Sequence, residues 1–154
     1  MFKITDISNG WFNFSLNNGT EIFNAICSKV VEIDIAKQLL LLAHDLLCKK
    51  SHQVYFCINS ENEAYQMKVN RTENKIEIII REIIMNPIKL IGSTQTSIEA
   101  AKVGDPIFIL EILESTLIEN VYFEYSKLDK IEYEKNWFSF PDSILSDLKK
   151  ILNC

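Results

Sequence analysis

FKITDISNGWFNFSLNNGTEIFNAICSKV, residues 2–30, is the stretch that decides the fold of this 154-residue chain. Two Asn-Gly pairs, Asn9-Gly10 and Asn18-Gly19, separate three runs of strand-forming residues. Asn and Gly tolerate the positive φ that two-residue hairpin turns require. The stretch therefore predicts a β-meander with strands at 2–7, 11–16 and 20–30.

The second predicted strand shows which face of this sheet is buried. Phe12, Phe14 and Leu16 alternate with polar residues, as in a strand with one apolar face. On the third predicted strand, we expect the same face to continue through Ile22, Ile26 and Val30.

Further elements follow from periodicity downstream. Asp34 is a good N-cap for a leucine-rich helix that should reach residue 50 and cover a sheet. Residues 54–58 are apolar on both faces, which predicts a central strand. A hairpin of strands 64–70 and 75–84 around a polar turn at 71–74 comes next. In the irregular region 88–104, we expect a short strand and then a helical turn at 97–102.

Asp105-Pro106 predicts another helix start, an N-cap followed by proline at the first helical position. The predicted helix runs to residue 125, and its apolar residues surround the whole helical wheel. Three explanations stay open: a helix between two layers, an extended end at 121–125, or an oligomer contact such as a homodimer. A polar connection at 127–136 and a last amphipathic helix after Pro141 complete the chain.

Length and composition predict one α+β domain over residues 1–154. Its sheet should be mostly antiparallel, with about five to six strands packed by two or three helices. Apolar residues make up 47% and charged residues 24%, as in ordinary folded proteins. The net charge of −5 disfavours nucleic acid as a partner and favours a basic one.

Motifs for catalysis or cofactor binding are missing from the sequence. The four cysteines (Cys27, Cys48, Cys57 and Cys154) form no Cys-x-x-Cys pair, and we expect them to be free thiols. We also expect no histidine near them at the spacing of metal ligands. His44 and His52 are expected to be structural, and four glycines form no phosphate loop. We therefore predict a protein that is not an enzyme and needs no cofactor or metal. Without a signal peptide or a membrane-length apolar run, a cytoplasmic location is expected.

A family resemblance enters in the C-terminal third. Residues 131–141 read IEYEKNWFSFP and lead into a short helix with leucine spacing. This order of Tyr133, Trp137 and Phe140-Pro141 resembles small bacterial immunity proteins of polymorphic toxin systems of the contact-dependent inhibition type. Trp11 on an early strand and the helix capped by Asp34 also fit that resemblance.

The resemblance implies a cytoplasmic protein that binds and neutralises one cognate toxin domain, and the acidic composition agrees with a basic nuclease as that toxin. Tyrosines among charges are expected to act as anchors. The candidate partner-binding residues are Glu61, Glu63, Tyr65, Glu73, Glu77, Asp129, Glu132, Tyr133 and Glu134. Two alternatives stay open: a small-ligand-binding, regulatory or structural α+β module, and an enzyme that uses carboxylates brought together in space.

Overall fold

A computed structural model describes residues 1–29, 34–49, 53–59, 63–84 and 95–152 of the chain. The described part is α+β, with antiparallel strand pairing throughout and helices packed against two sheets. In chain order, the elements are β1 (Phe2–Ser8), β2 (Trp11–Asn17), β3 (Ile22–Ser28), α1 (Ile35–Leu47), β4 (Gln53–Asn59), β5 (Ala64–Thr72), β6 (Lys75–Ile83), α2 (Gln95–Glu99), β7 (Val103–Leu113), α3 (Glu114–Ser126), α4 (Lys130–Asn136) and α5 (Asp142–Leu152). The fold class predicted from the sequence is confirmed.

The first three strands form the predicted meander, but their two turns differ. Asn9 and Gly10 both have positive φ, 50° and 83°, and close a two-residue hairpin between Ser8 and Trp11. The second connection is longer, because β2 and β3 pair only up to Asn17 and Ile22. The prediction of a two-residue turn there is therefore wrong.

The buried face of β3 is the opposite of the one predicted. Phe14 pairs with Ala25 and Phe12 with Cys27, and all four side chains are buried. Because successive residues of a strand point to opposite faces, Ile22 and Ile26 point outward and are 60% and 54% exposed. Val30 lies outside the described residues.

The remaining strands form a second sheet in the order β4-β5-β6-β7. The predicted hairpin is confirmed as β5 and β6, with Glu73 in its turn at a φ of 49°. Among the described residues, β4 lies at the end of the strand order and not in its centre, where the prediction had placed it. It contacts β3 of the other sheet without pairing with it. Only the end of the irregular region is described, and its predicted helical turn corresponds to α2.

The predicted helix at 105–125 is two elements, the strand β7 and the helix α3. Phe108 and Leu110 face the core while Ile107 and Ile109 are 49% and 44% exposed, which is the alternation of a strand. Pro106 is tolerated because β7 is an edge strand whose register shifts there. The apolar residues of the predicted helix surrounded the helical wheel because residues 105–113 follow the two-residue period of a strand, which does not fit a helical period.

One hydrophobic core joins the described elements. It contains residues of β1, β2, β3 and β4 to β7 together with apolar faces of α1, α3, α4 and α5. Helix α1 packs against α3 and α5, and α3 also packs along β1. Within the described ranges, no helix combines the length and the apolar character that a membrane crossing requires.

Candidate partner-binding site

The candidate glutamates of the β5-β6 hairpin do not form one patch. Glu63 precedes the first residue of β5, whereas Glu73 lies in the turn after its last residue. A strand rises about 3.4 Å per residue, so these two glutamates are roughly 30 Å apart. Glu77 accepts a hydrogen bond from Asn70 Nδ2 at 2.7 Å and is half-buried. Glu61 lies outside the described residues.

Tyr65 belongs to the Glu63 end of the hairpin. Its hydroxyl donates to Glu63 Oε2, and its ring meets Phe23 edge-on with centroids 5.4 Å apart. Burial, the hydrogen bond to Glu63 and the nearby charge of Glu82 raise the pKa of Tyr65 to about 12. This half-buried ring is therefore a neutral hydrogen-bond donor between the two sheets.

The candidate acidic residues at 129–134 lie in α4 and at its N-cap, where the sequence analysis predicts a polar connection. Asp129 is the N-cap of α4, and its Oδ1 accepts from the backbone N–H of Glu132 at 2.9 Å. Glu134 is exposed, and its Oε1 accepts from the backbone N–H of Phe140 at 3.1 Å. Tyr133, the other tyrosine predicted as an anchor, is only 2% exposed and belongs to the hydrophobic core. Burial and the charge of Asp34 raise the pKa of Tyr133 well above its usual range.

Asp129 and Glu132 line an open groove of about 270 Å³ between β1 and the α3-α4 connection. We call it the acidic groove. Apolar side chains form its floor, and charged side chains form its rim. The floor contains Ile4, Ile7, Leu128 and Tyr133, and the charged side chains are Asp6, Lys127, Asp129 and Glu132.

The charge of the acidic groove is negative, because three carboxylates face one ammonium group. Lys127 Nζ lies 2.7 Å from Glu124 Oε1, so its charge is already matched from outside the groove. Asp6 accepts from the Ser8 hydroxyl at 2.6 Å, and Glu132 from Asn136 Nδ2 at 2.7 Å. These neutral donors orient two of the carboxylates. Glu132 Oε2 also lies 3.7 Å from Lys135 Nζ, in an exposed pair that water screens, so the charge of Glu132 is offset only in part.

Two features of β1 lie beside the acidic groove: its hydrogen bonds to α3 and a bulge. Asn120 Oδ1 and Glu124 Oε2 of α3 accept from the backbone N–H groups of Phe2 and Ile4, at 2.7 and 3.1 Å. Helix α3 therefore covers the first half of the edge strand β1. The register with β2 then shifts between Ile4 and Asp6, and such a bulge bends a strand. The bulged segment from Ile4 to Ile7 lines the acidic groove opposite the α3-α4 connection.

Sequence reasoning missed two functional candidates. Asp6 joins the acidic groove only through the bulge and the contact with α3, and no local pattern signals either. His44 is in the last turn of α1 and Cys48 is its C-cap, with Cys48 Sγ 3.8 Å from His44 Nε2. This pair was not among the predicted candidates, and its i, i+4 spacing was the available signal.

No family model, curated protein or solved structure matches this chain. The segment 131–141, on which the predicted resemblance rests, has its largest side chains buried in the core. Trp137 is 1% exposed and packs against Phe12, and the Tyr133 ring meets Phe140 edge-on with centroids 5.0 Å apart. This segment therefore attaches α4 and α5 to the meander, and the carboxylates beside it are the groups available for contact.

Proposed function

We propose that this protein is an immunity protein that binds a basic surface of a cognate toxin domain through the acidic groove. The observation that supports this is the convergence of Asp6, Asp129 and Glu132 around an apolar floor. An arginine or lysine has an apolar stem and a cationic head, which match the floor and the rim respectively. Electrostatic attraction would also steer a basic domain toward the groove.

Only part of β1 is accessible to a partner. The backbone N–H groups of Phe2 and Ile4 already donate hydrogen bonds to α3, so the edge of the strand is covered there. Beyond the bulge, the Thr5 to Ile7 segment lines the groove directly. A partner loop that places one basic side chain in the groove can therefore contact both β1 and α4.

The test is growth of a bacterium that expresses the toxin-like C-terminal domain encoded immediately upstream of this gene, with and without this protein. Rescue of growth together with a stable complex by size exclusion supports the immunity role. Toxicity that this protein does not relieve, or an upstream product that is harmless, contradicts it. In that case a small-ligand screen by thermal shift would follow.

The binding surface is tested with amide substitutions, which remove the charge of each carboxylate but can keep its hydrogen bonds. D6N/D129N/E132Q removes three negative charges from the groove, and asparagine at 129 still caps α4. We expect affinity to fall about tenfold to hundredfold, mainly because association becomes slower. The dependence of the association rate on salt concentration should also become weaker. The matched control E63Q/E73Q/E77Q removes the same charge from the hairpin. Equal losses in both variants would contradict a specific role for the groove.

A further inference from the structure

A carboxylate, an imidazole and a thiol are arranged in series at the C-terminal end of α1. Asp45 Oδ1 lies 3.5 Å from His44 Nδ1, and His44 Nε2 lies 3.8 Å from Cys48 Sγ. Cys48 is exposed, and the His44 side chain is 19% exposed. Solvent and dissolved ions can therefore reach the thiol and the adjacent ring nitrogen.

The separation of sulfur and nitrogen fits a shared metal ion. Zinc binds thiolate sulfur at about 2.3 Å and imidazole nitrogen at about 2.0–2.1 Å, with tetrahedral angles. Those values place the two ligand atoms roughly 3.6 Å apart. The observed 3.8 Å requires only a small rotation of either side chain to reach that geometry.

Asp45 is placed to become the outer contact that metal-bound histidines commonly have. Its Oδ1 is 3.5 Å from His44 Nδ1, so a small side-chain rotation would let Nδ1–H donate to it. With the proton on Nδ1, the Nε2 lone pair is free to bind a metal beside Cys48.

We propose that His44 and Cys48 bind a divalent metal ion of borderline softness, of which Zn²⁺ is the type, as a two-ligand chelate. Water fills the remaining positions, because the described residues contain no group of three or more side chains placed for a metal. On binding, the thiol proton passes to solvent and the thiolate bonds to the metal. This chelate is independent of the proposed toxin-binding function.

The experiment is a titration of the full-length protein with Co²⁺, in a buffer with a reductant that contains no thiol. Ligation by Cys48 gives a saturable sulfur-to-cobalt charge-transfer band in the near ultraviolet, and Zn²⁺ displaces it. C48S should abolish the band and H44Q should weaken binding, while the controls C154S and H52Q retain it. D45N should lower the affinity by about tenfold.

The proposal is overturned if the wild-type protein shows no saturable band, or if the band survives unchanged in C48S. Full binding by H44Q would exclude the imidazole as a ligand and also overturn it. Circular dichroism of each variant separates lost ligands from lost structure. Because Cys48 is exposed, we expect C48S to keep the fold.

Discussion

Asp34 joins two elements that are far apart in the chain, the start of α1 and the segment after α4. Its Oδ1 accepts from the backbone N–H of Lys37 and from Trp137 Nε1, both at 3.0 Å. One carboxylate oxygen thus begins α1 and satisfies an indole N–H that lies 103 positions further along the chain. Such a shared acceptor stabilises two elements at once.

Replacing this acceptor should destabilise the protein in two ways. D34A removes an N-cap, which costs about 1 kcal/mol, and leaves a buried indole donor unpaired, which costs about 1–3 kcal/mol. We expect a total loss of about 2–4 kcal/mol in the free energy of unfolding, measured with urea. D34N keeps an acceptor oxygen and should lose far less. Equal losses in the two variants would contradict this account.

The raised pKa of Tyr65 predicts how the free energy of unfolding depends on pH. Its pKa of about 12 in the folded state exceeds the value of about 10 in an unfolded chain. Between those values the unfolded chain releases the proton first, so the free energy of unfolding should fall as the pH rises from about 10 to about 12. E63Q removes the hydrogen-bonded charge and should move the pKa toward 10.

The readout is NMR titration of the labelled tyrosine ring, with Y65F to assign the signal. E73Q removes a charge from the far end of the same hairpin and serves as the control. A Tyr65 pKa that shifts equally in both glutamine variants would show that the local hydrogen bond is not a cause.

At the scale of elements, local signals predicted what local forces determine. The Asn9-Gly10 turn, the Asp34 cap, the β5-β6 hairpin and the helix after Pro141 all agree with the structure. Residues 114–125 are helical as predicted, whereas residues 105–113 of the predicted helix 105–125 were assigned wrongly, because Asp105-Pro106 mimics a helix start. Pairing with β6, a contact between distant residues, makes that segment a strand.

The candidate site shows the same limit. Asp129 and Glu132 were selected as charges in a polar segment, and the structure brings them into one groove. The sequence did not indicate that this segment is a helix, α4, whose buried face carries Tyr133 and whose C-cap is the buried Trp137. Asp6 required knowledge of how β1 docks on α3, which one sequence does not reveal.

The junction of β5 with α3 yields a prediction about an ion pair. Arg71 holds Glu114 through two contacts, Nε to Oε2 at 2.5 Å and a terminal nitrogen to Oε1 at 2.6 Å. The side chains are 12% and 16% exposed, so water screens the pair poorly. R71M should lower the free energy of unfolding by about 2–3 kcal/mol, because it leaves a largely buried carboxylate without its partner.

The matched control is Lys150, whose ammonium lies 3.0 Å from Asp147 in a pair that is mostly exposed. Here K150M should change the stability by less than about 0.5 kcal/mol. Urea unfolding of both variants compares them directly. A loss for K150M as large as that for R71M would contradict the role of burial.

For the whole molecule, the shared core has consequences for unfolding. Side chains from both sheets and from four helices belong to one cluster. In the part of the chain that the structure describes, neither sheet has a separate core of comparable size, since the small cluster beside α2 has Ala64, Ile83 and Ile98 as its buried members. The sheets should therefore lose their structure together.

Leu40 tests this cooperativity, because it is fully buried on α1 in that core. L40A should lower the free energy of unfolding by about 2–5 kcal/mol. Tryptophan fluorescence and far-ultraviolet circular dichroism should give the same midpoint before and after the substitution. L41A, at a half-buried neighbour, is the control and should cost less. Two separated transitions would show that the sheets unfold independently.

The contacts between β1 and α3 also constrain the order of events during synthesis. Phe2 and Ile4 find their acceptors 118 and 120 positions later in the chain. Ribosomes add about 5–20 residues per second, so the first strand waits roughly 6–24 s for its covering helix. Throughout that interval the nascent meander has an uncovered edge and an apolar face. Chaperones that hold nascent chains would have their target in this N-terminal meander.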